Sequence, residues 1–496
     1  ATAAPVPTAT ALATVAPAVQ PAIPARNDAT EDNDTTGDDV LLRSPSLLYL
    51  YASTYPDSRQ PGLLWHYDPN AALPLTQVMT DTTVTESITA AALAPGTGAL
   101  ALATTDGGLY LIEAGATPQH IWQSNEAAAF SGAPPGSPPF VNHLAWSADG
   151  AQLAFAVRYE RTSGAADDRF GELAGLWLWQ RASGESTQLW VSLDWTPYSL
   201  YLTDVAWSPT ADTLAFTVTY DQNLHRQLAD RGVEQVTGLW QWSAAENALA
   251  HLLDNHYFWG ENVNELEVLQ QLAWSPDGAA LRVQAGYWEW TNPLWLFPVA
   301  PGEENVHRVP PRFRGPETFT SWINAVWRPN STALLLFGEA YSLYSDLQLI
   351  DRESGEMRQI VDGQSETEND TGWYILSAHE TAQGIFLLGQ PMGGDVPSRN
   401  SETPTVGLAM DIRLYRIDID ATGNVQAPQL LSDEPICTTT RSAVAWQPAG
   451  EGVAVYCDRA LQIIDMAGTL VHRETALPIP FAETDSYVVE LLWAAD

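Results

Sequence analysis

Nucleophilic catalysis by serine calls for Gly-x-Ser-x-Gly on a strand-to-helix turn. The nearest string here, Gly363-Gln-Ser365-Glu-Thr367, lacks the second glycine and sits among acids. Histidines occur at 66, 120, 143, 225, 251, 256, 307, 379 and 472. None forms His-x-His or His-Glu-x-x-His, and the one close pair is His251 with His256, so no zinc site is expected. A Gly-rich phosphate loop is missing too. Glycoside cleavage needs two carboxylates facing each other across a cleft. Of the sixty acids, Asp204, Asp254, Glu261 and Glu265 fall near junctions between repeats, where solvated loop positions are the expectation. The run Asp32-Asn-Asp34-Thr-Thr36-Gly37-Asp38 imitates a calcium loop, but its twelfth position falls on Arg43 instead of a bidentate Glu. The sequence therefore predicts no catalytic, cofactor-binding or metal-ligating residues, and no enzyme.

Two other groups of residues could do chemistry. Cys437 and Cys457 are the only cysteines. They flank one predicted hairpin, whose ends can meet, and a disulfide is expected. Aromatic residues gather in two insertions, WVSLDWTPYSLY (190–201) and DNHYFWGEN (254–262). Trp195, Tyr198, Tyr257 and Trp259 beside Asp and Asn make a candidate binding rim for glycan stacking or protein docking. The pairs Trp177/Trp179, Trp240/Trp242 and Trp288/Trp290 each share a strand face and are expected to pack between repeats.

Charge narrows the partners. Twenty-two bases, all Arg, against sixty acids give a net charge of −38, the wrong sign for nucleic acid and for anionic lipid. The absence of lysine excludes Schiff-base and P-loop chemistry. No apolar run is long enough for a membrane span. Forty-five per cent hydrophobic residues and twenty Trp are enough for a large core. Residues 1–40 differ from the rest: 1–25 are Ala/Thr/Pro-rich without charge, and 27–40 carry six acids. This reads as an extended tail. Its small apolar stretch from Ala9 to Ile23, with Leu12, Val15, Val19 and Ile23, could run along a neighbour or add a strand to an exposed edge. The Asn-x-Ser/Thr sequons at Asn33, Asn330 and Asn369 matter only if the source glycosylates its surface proteins.

The elements that position these residues repeat. Two apolar residues, Trp, Ser, Pro, a turn and a second apolar strand recur as LAWSADGAQLAFAV (from Leu144), VAWSPTADTLAFTV (Val205), LAWSPDGAALRV (Leu272), AVWRPNSTALLLF (Ala325) and VAWQPAGEGVAVY (Val444). Weaker copies begin at Ala91 and Ile375, and the chain ends on LLWAAD. The repeated position is Leu93, Trp146, Trp207, Trp274, Trp327, Leu376, Trp446 and Trp493. A third strand follows most copies, as in GLWLWQ (175–180) and GLWQWS (238–243), then a short edge segment such as STQLW. Four strands per unit without helical periodicity predict an eight-bladed β-propeller of antiparallel blades spanning 41–496. LLWAAD supplies one strand of a blade whose partners, SLLYLYAS (46–53) and GLLWHYD (62–68), follow the tail. The ring is expected to close by pairing N- and C-terminal strands.

The phrase resembles the WD40-like repeat of TolB-type propellers, whose hallmark strand ends in Trp-Ser-Pro-Asp-Gly. Leu272–Gly278 carries it in full; Ala148, Thr210, Arg328 and Ala449 depart from it. The resemblance covers roughly residues 88–496 and implies the fold and partner binding without naming a partner. The expectation is a non-catalytic structural or interaction protein, extracellular or at the cell surface, with the periplasm as another setting. Its tail would join it to other copies of itself, in a filament or array, or to another surface protein. The competing expectations are a carbohydrate-binding or carbohydrate-cleaving propeller and a monomeric accessory subunit.

Overall fold

In the computed structural model the described residues run from Leu48 to Trp493, apart from short gaps and the longer segments 55–62, 79–87, 125–138, 159–172, 221–236, 255–267, 287–293, 299–306, 363–371, 393–409 and 476–486. For some strand residues only the backbone is described. The tail residues Leu12, Val15, Val19 and Ile23 lie outside the described residues, as do Tyr257, Trp259, Glu261 and Glu265.

Every described element except isolated turns is a strand, and consecutive strands pair antiparallel. β4 (Ile88–Leu93), β5 (Leu100–Thr104), β6 (Gly108–Ile112) and β7 (Gln119–Gln123) form one meander. β8 (Phe140–Trp146), β9 (Gln152–Arg158), β10 (Gly175–Gln180) and β11 (Ser186–Val191) form the next. A fifth, two-residue strand, β12 (Asp194–Trp195), precedes β13 (Tyr198–Trp207), β14 (Thr213–Tyr220), β15 (Gly238–Ser243) and β16 (Ala248–Asp254). Then come β17 (Val268–Trp274), β18 (Ala280–Gly286), β19 (Leu294–Pro298) and β20 (His307–Val309), and a separate hairpin of β21 (Arg312–Arg314) and β22 (Thr318–Thr320). β23 (Trp322–Trp327), β24 (Ala333–Glu339), β25 (Leu347–Asp351) and β26 (Met357–Val361) follow. β27 (Gly372–Thr381), β28 (Gly384–Met392), β29 (Arg413–Ile417) and β30 (Gln429–Leu430) form another sheet, and β31 (Ser442–Trp446), β32 (Gly452–Cys457), β33 (Ala460–Asp465) and β34 (Leu470–Thr475) another. The remaining sheet breaks sequence order. β1 (Leu48–Thr54), β2 (Leu63–Tyr67) and β3 (Leu75–Gln77) are completed by β35 (Tyr487–Trp493), with Leu48 opposite Trp493 and Tyr51 opposite Glu490.

In several meanders the second strand is apolar on both faces, as β5, β9 and β32 are, and the packing shows why. In β9, Leu153, Phe155 and Val157 enter a core shared with Ala101 and Ala103 of β5, while Ala154 and Ala156 enter one shared with Leu214 and Phe216 of β14. β32 divides in the same way: Val453, Val455 and Cys457 face Phe386 and Leu388 of β28, whereas Ala454 and Tyr456 face Trp65, Leu491 and Trp493. Successive side chains of a strand point to opposite faces, so a sheet buried between two others reads as an unbroken apolar run. Leu64 and Leu492 of the β1 sheet in turn share a core with Leu100 and Leu102 of β5.

The hallmark turn explains its own residues. Ser275 Oγ donates to Asp277 Oδ1 (2.5 Å) and accepts from Ala280 N (2.9 Å), and Asp277 Oδ1 accepts from Ala279 N (3.0 Å). Ser147 and Asp149 repeat the pattern at 2.6 Å. Gly278 has φ +69°, and a Cβ there would lie 2.2 Å from Thr210 Oγ1 of the preceding sheet, so both conformation and space require glycine. No helix is long and apolar enough to cross a membrane among the described residues.

Candidate functional site

The first strands β4, β8 and β17 each occupy one edge of a sheet, β13 is flanked there only by the two-residue β12, and the four pack against one another in succession. A β-bulge interrupts each of them: between Ile88 and Ala90, Val141 and His143, Leu202 and Asp204, and Gln270 and Ala273. Bulges free side chains from the ladder and re-aim them. Thr89 Oγ1 donates to Val141 O (2.6 Å), and Asn142 Nδ2 donates to Leu202 O (3.1 Å), each reaching the first strand of the following sheet. The repeated tryptophans bond in the reverse direction. Nε1 of Trp146 donates to Ala92 O (3.0 Å), of Trp274 to Ala206 O (2.9 Å) and of Trp327 to Ala273 O (3.2 Å). In each case the acceptor is the residue just before the repeated position in the preceding sheet. Trp446 Nε1 instead finds Ser377 Oγ (2.8 Å), one residue beyond the Leu376 that replaces Trp.

Three residues before Trp146, Trp207, Trp274 and Trp327 stand His143, Asp204, Gln271 and Asn324, all half-buried on four successive first strands. Asp204 is the hub of this polar arc. Its Oδ1 accepts from Val205 N and its Oδ2 from Leu272 N of the next sheet, both at 2.8 Å. Oδ1 lies 3.9 Å from His143 Nδ1 of the preceding sheet. The two side chains remain 33% and 20% exposed, so water reaches them although protein surrounds them. Desolvation lifts the Asp204 carboxyl above its usual range against the pull of His143, the two N–H donors and Arg282. Burial lowers His143, opposed by Asp204 and reinforced by Arg158. Arg282, which donates to Gln271 O (2.9 Å), is brought down to about 10 by burial, with Asp204 acting against it. The arc sets an imidazole, a carboxyl group, two side-chain amides and a guanidinium along adjoining strands, a surface of donors and acceptors suited to a polar ligand.

Asp204 is the one sequence-selected carboxylate that the described residues build into a cluster. Asp254 ends β16 opposite Gly238. The first aromatic insertion forms a hairpin in which Trp195 pairs with Tyr198; their side chains, and the structure of the second insertion, lie outside the described residues. The other tryptophan pairs pack as expected where described. Trp177 stacks on Phe155 (14°) and Trp240 on Phe216 (15°). The outer-strand Trp122 and Trp190 of the preceding sheets lie against those same phenylalanines at 5.1 and 6.2 Å. Trp179 and Trp242 meet the repeated Trp146 and Trp207 edge-on at 6.2 and 6.1 Å. Trp288 and Trp290 lie outside the described residues.

Among the described residues, the group with metal-ligand types in reach of one another is Cys437, Cys457 and Asp458, whose ligand atoms lie within 4.8 Å. Both cysteines are buried and present as thiols.

Repeated four-stranded antiparallel meanders, joined through their first strands and packed face to face, define a β-propeller. No family model matches this chain and no curated protein matches it. Among solved structures it is similar to the putative TolB from Agrobacterium tumefaciens, at 13% identity over 64% of this chain and 89% of that one, with a TM-score of 0.34. It is also similar to the β-propeller domain of Cps50 (Swd1) from Myceliophteria thermophila, at 11% identity over 80% and 90%, TM-score 0.39. A third likeness is to the dihydro-heme d1 dehydrogenase NirN in complex with DHE, at 13% identity over 86% and 72%, TM-score 0.48. The structural neighbours thus include TolB and WD40 propellers, and the fold assignment rests on the sheets of this chain.

Proposed function

We propose that this chain is an eight-bladed propeller, closed where β35 joins β1, and that it is a non-catalytic, exported assembly subunit. Its tail, residues 1–40, docks on the outer strands of the next copy and builds a filament or surface array. The ring is supported by the apolar cores, which link each sheet to the next and return from β32 to the β1 sheet. The assembly role rests on one observation. Among the described residues the exposed large hydrophobics are Val191, Leu249, Met357, Leu430, Leu470 and Val471, and every one stands on the fourth, outermost strand of its sheet. Among the described residues those strands are also the outer edges of their sheets, and a sheet edge accepts an added strand. A net charge of −38 keeps free copies apart, so salt or divalent cations promote association.

Electron microscopy of the full chain beside a version beginning at Leu41 tests this reading. Ordered polymers from the full chain alone support it, and single rings from both remove it. The polar arc at His143, Asp204, Gln271 and Asn324 favours a second reading, a propeller that binds a polar ligand such as a glycan. A glycan screen that yields a binder lost on Asp204→Ala would support that reading.

A further inference from the structure

We propose that Cys437 and Cys457 are an oxidisable pair whose disulfide forms during folding and ties the β27 sheet to the β31 sheet; this stands independently of the assembly role. Cys457 ends β32, opposite Ser442. Cys437 belongs to the neighbouring sheet, because the segment around it pairs with the residues just before β29. Ile412 N donates to Cys437 O (3.0 Å), Ile436 N to Ile412 O (2.8 Å) and Met410 N to Thr438 O (2.9 Å). The two sulfurs lie within 4.8 Å of one another, and Cys457 Sγ donates to Ile436 O (3.3 Å). Both side chains are at most 1% exposed, among Phe386, Met410, Ile412 and Val455.

The surroundings favour neutral sulfur. The Cys437 side chain beside it, then burial, then the nearby Asp458 carboxylate push the Cys457 thiol up, with Arg473 acting against them, so a thiolate is disfavoured. A structural metal would need both thiolates. It would also compete for Asp458, whose Oδ2 already accepts from Thr438 N (2.9 Å) and Thr438 Oγ1 (2.8 Å). A disulfide carries no charge and suits the apolar cluster. With a small disulfide such as oxidised glutathione as oxidant, one thiolate attacks it and releases one thiol. The second cysteine then displaces the other. One S–S bond forms, and two electrons and two protons leave with two molecules of glutathione. Exchange needs a thiolate and an open line of attack, so the reaction belongs to the partly folded chain, before both sulfurs are sealed in.

The test is refolding of the full chain in oxidised glutathione, followed by intact mass and alkylation in denaturant without reductant. The expected product is about 2 Da lighter than the reduced chain and has no alkylatable thiol. In native buffer it resists a reductant that opens it readily in denaturant. Two alkylatable thiols, a persistent glutathione adduct, or stoichiometric bound metal with both thiols free of linkage would each overturn the proposal. So would rapid reduction of the folded protein.

Discussion

Arg328 grips both carboxylate oxygens of Glu380, through Nε and Nη2, and so joins the turn after β23 to the end of β27 in the next sheet. Arg328 occupies the serine position of the repeat hallmark, and what reads as a degenerate copy is a bidentate clamp between sheets. The two side chains are only 22% and 14% exposed. Restoring the hallmark with Arg328→Ser should cost about 1–2 kcal/mol by leaving Glu380 without its partner, read as a lower urea midpoint at unchanged slope. A neutral outcome would mean the pair is solvated.

The tryptophan ladder can be tested within itself. Trp274 Nε1 bonds Ala206 O, whereas the buried Nε1 of Trp207 has no partner among the described residues. Phe at either position removes the same volume, so Trp274→Phe should be the more destabilising by about 1 kcal/mol, the worth of one bond. Equal losses of midpoint would show that the ladder contributes packing and nothing more.

Asp204→Asn replaces an acceptor-only group by one with a single acceptor oxygen. One of the two N–H donors, Val205 or Leu272, would then face an amide donor, and Arg282 would lose its nearby negative charge. A loss of about 1–3 kcal/mol is expected, seen in denaturant titration. A stability equal to the parent would show that water already satisfies that junction.

Stability should fall on mild acidification. His66, His143, His379 and His472 are all held below 6.5 by burial, each partly offset by a neighbouring carboxylate. The unfolded chain therefore binds protons that the folded one refuses, and stability is complete above about 6.5 and declines as pH drops toward the folded values. Asp204 works oppositely: its raised carboxyl makes stability fall as pH rises from about 3.8 to its folded value. The melting midpoint at pH 5.5 is thus expected below that at 7.5. His379→Phe keeps the ring stacked on Trp446 (5.5 Å, 17°) and should shrink the difference. An unchanged pH dependence in that variant would exclude His379 as a contributor.

Strand positions were legible because their causes are local. GLWLWQ and GLWQWS occupy β10 and β15 residue for residue, and MRQIV is β26. A turn that needs Ser, Asp and Gly within a few residues announces itself in the string. The polar arc did not, because Asp204 meets His143 and Leu272 from 61 and 68 residues away, on other sheets. One signal was available. Arg282 lies eight residues after its tryptophan, where other copies place Ala154, Ala215, Leu335 and Ala454, all 0% exposed. A charge where the repeat demands a buried apolar residue marks a place where neighbours have been arranged around it. The hairpins β12–β13 and β21–β22 were also missed, since two- and three-residue strands carry too little pattern to separate from loop.

The pairing of β1 with β35 fixes when this molecule can finish folding. β1 leaves the ribosome long before its partner, which follows hundreds of residues later after a delay on the order of half a minute or more at ordinary synthesis speeds. Until then the β1 sheet stays an open template, and so does the face of Trp65, which later presses on Ala454 and Leu461 of the β31 sheet. Translation that stalls before Tyr487 therefore yields a chain with nearly all its sheets made and one adhesive seam, the form most in need of a chaperone.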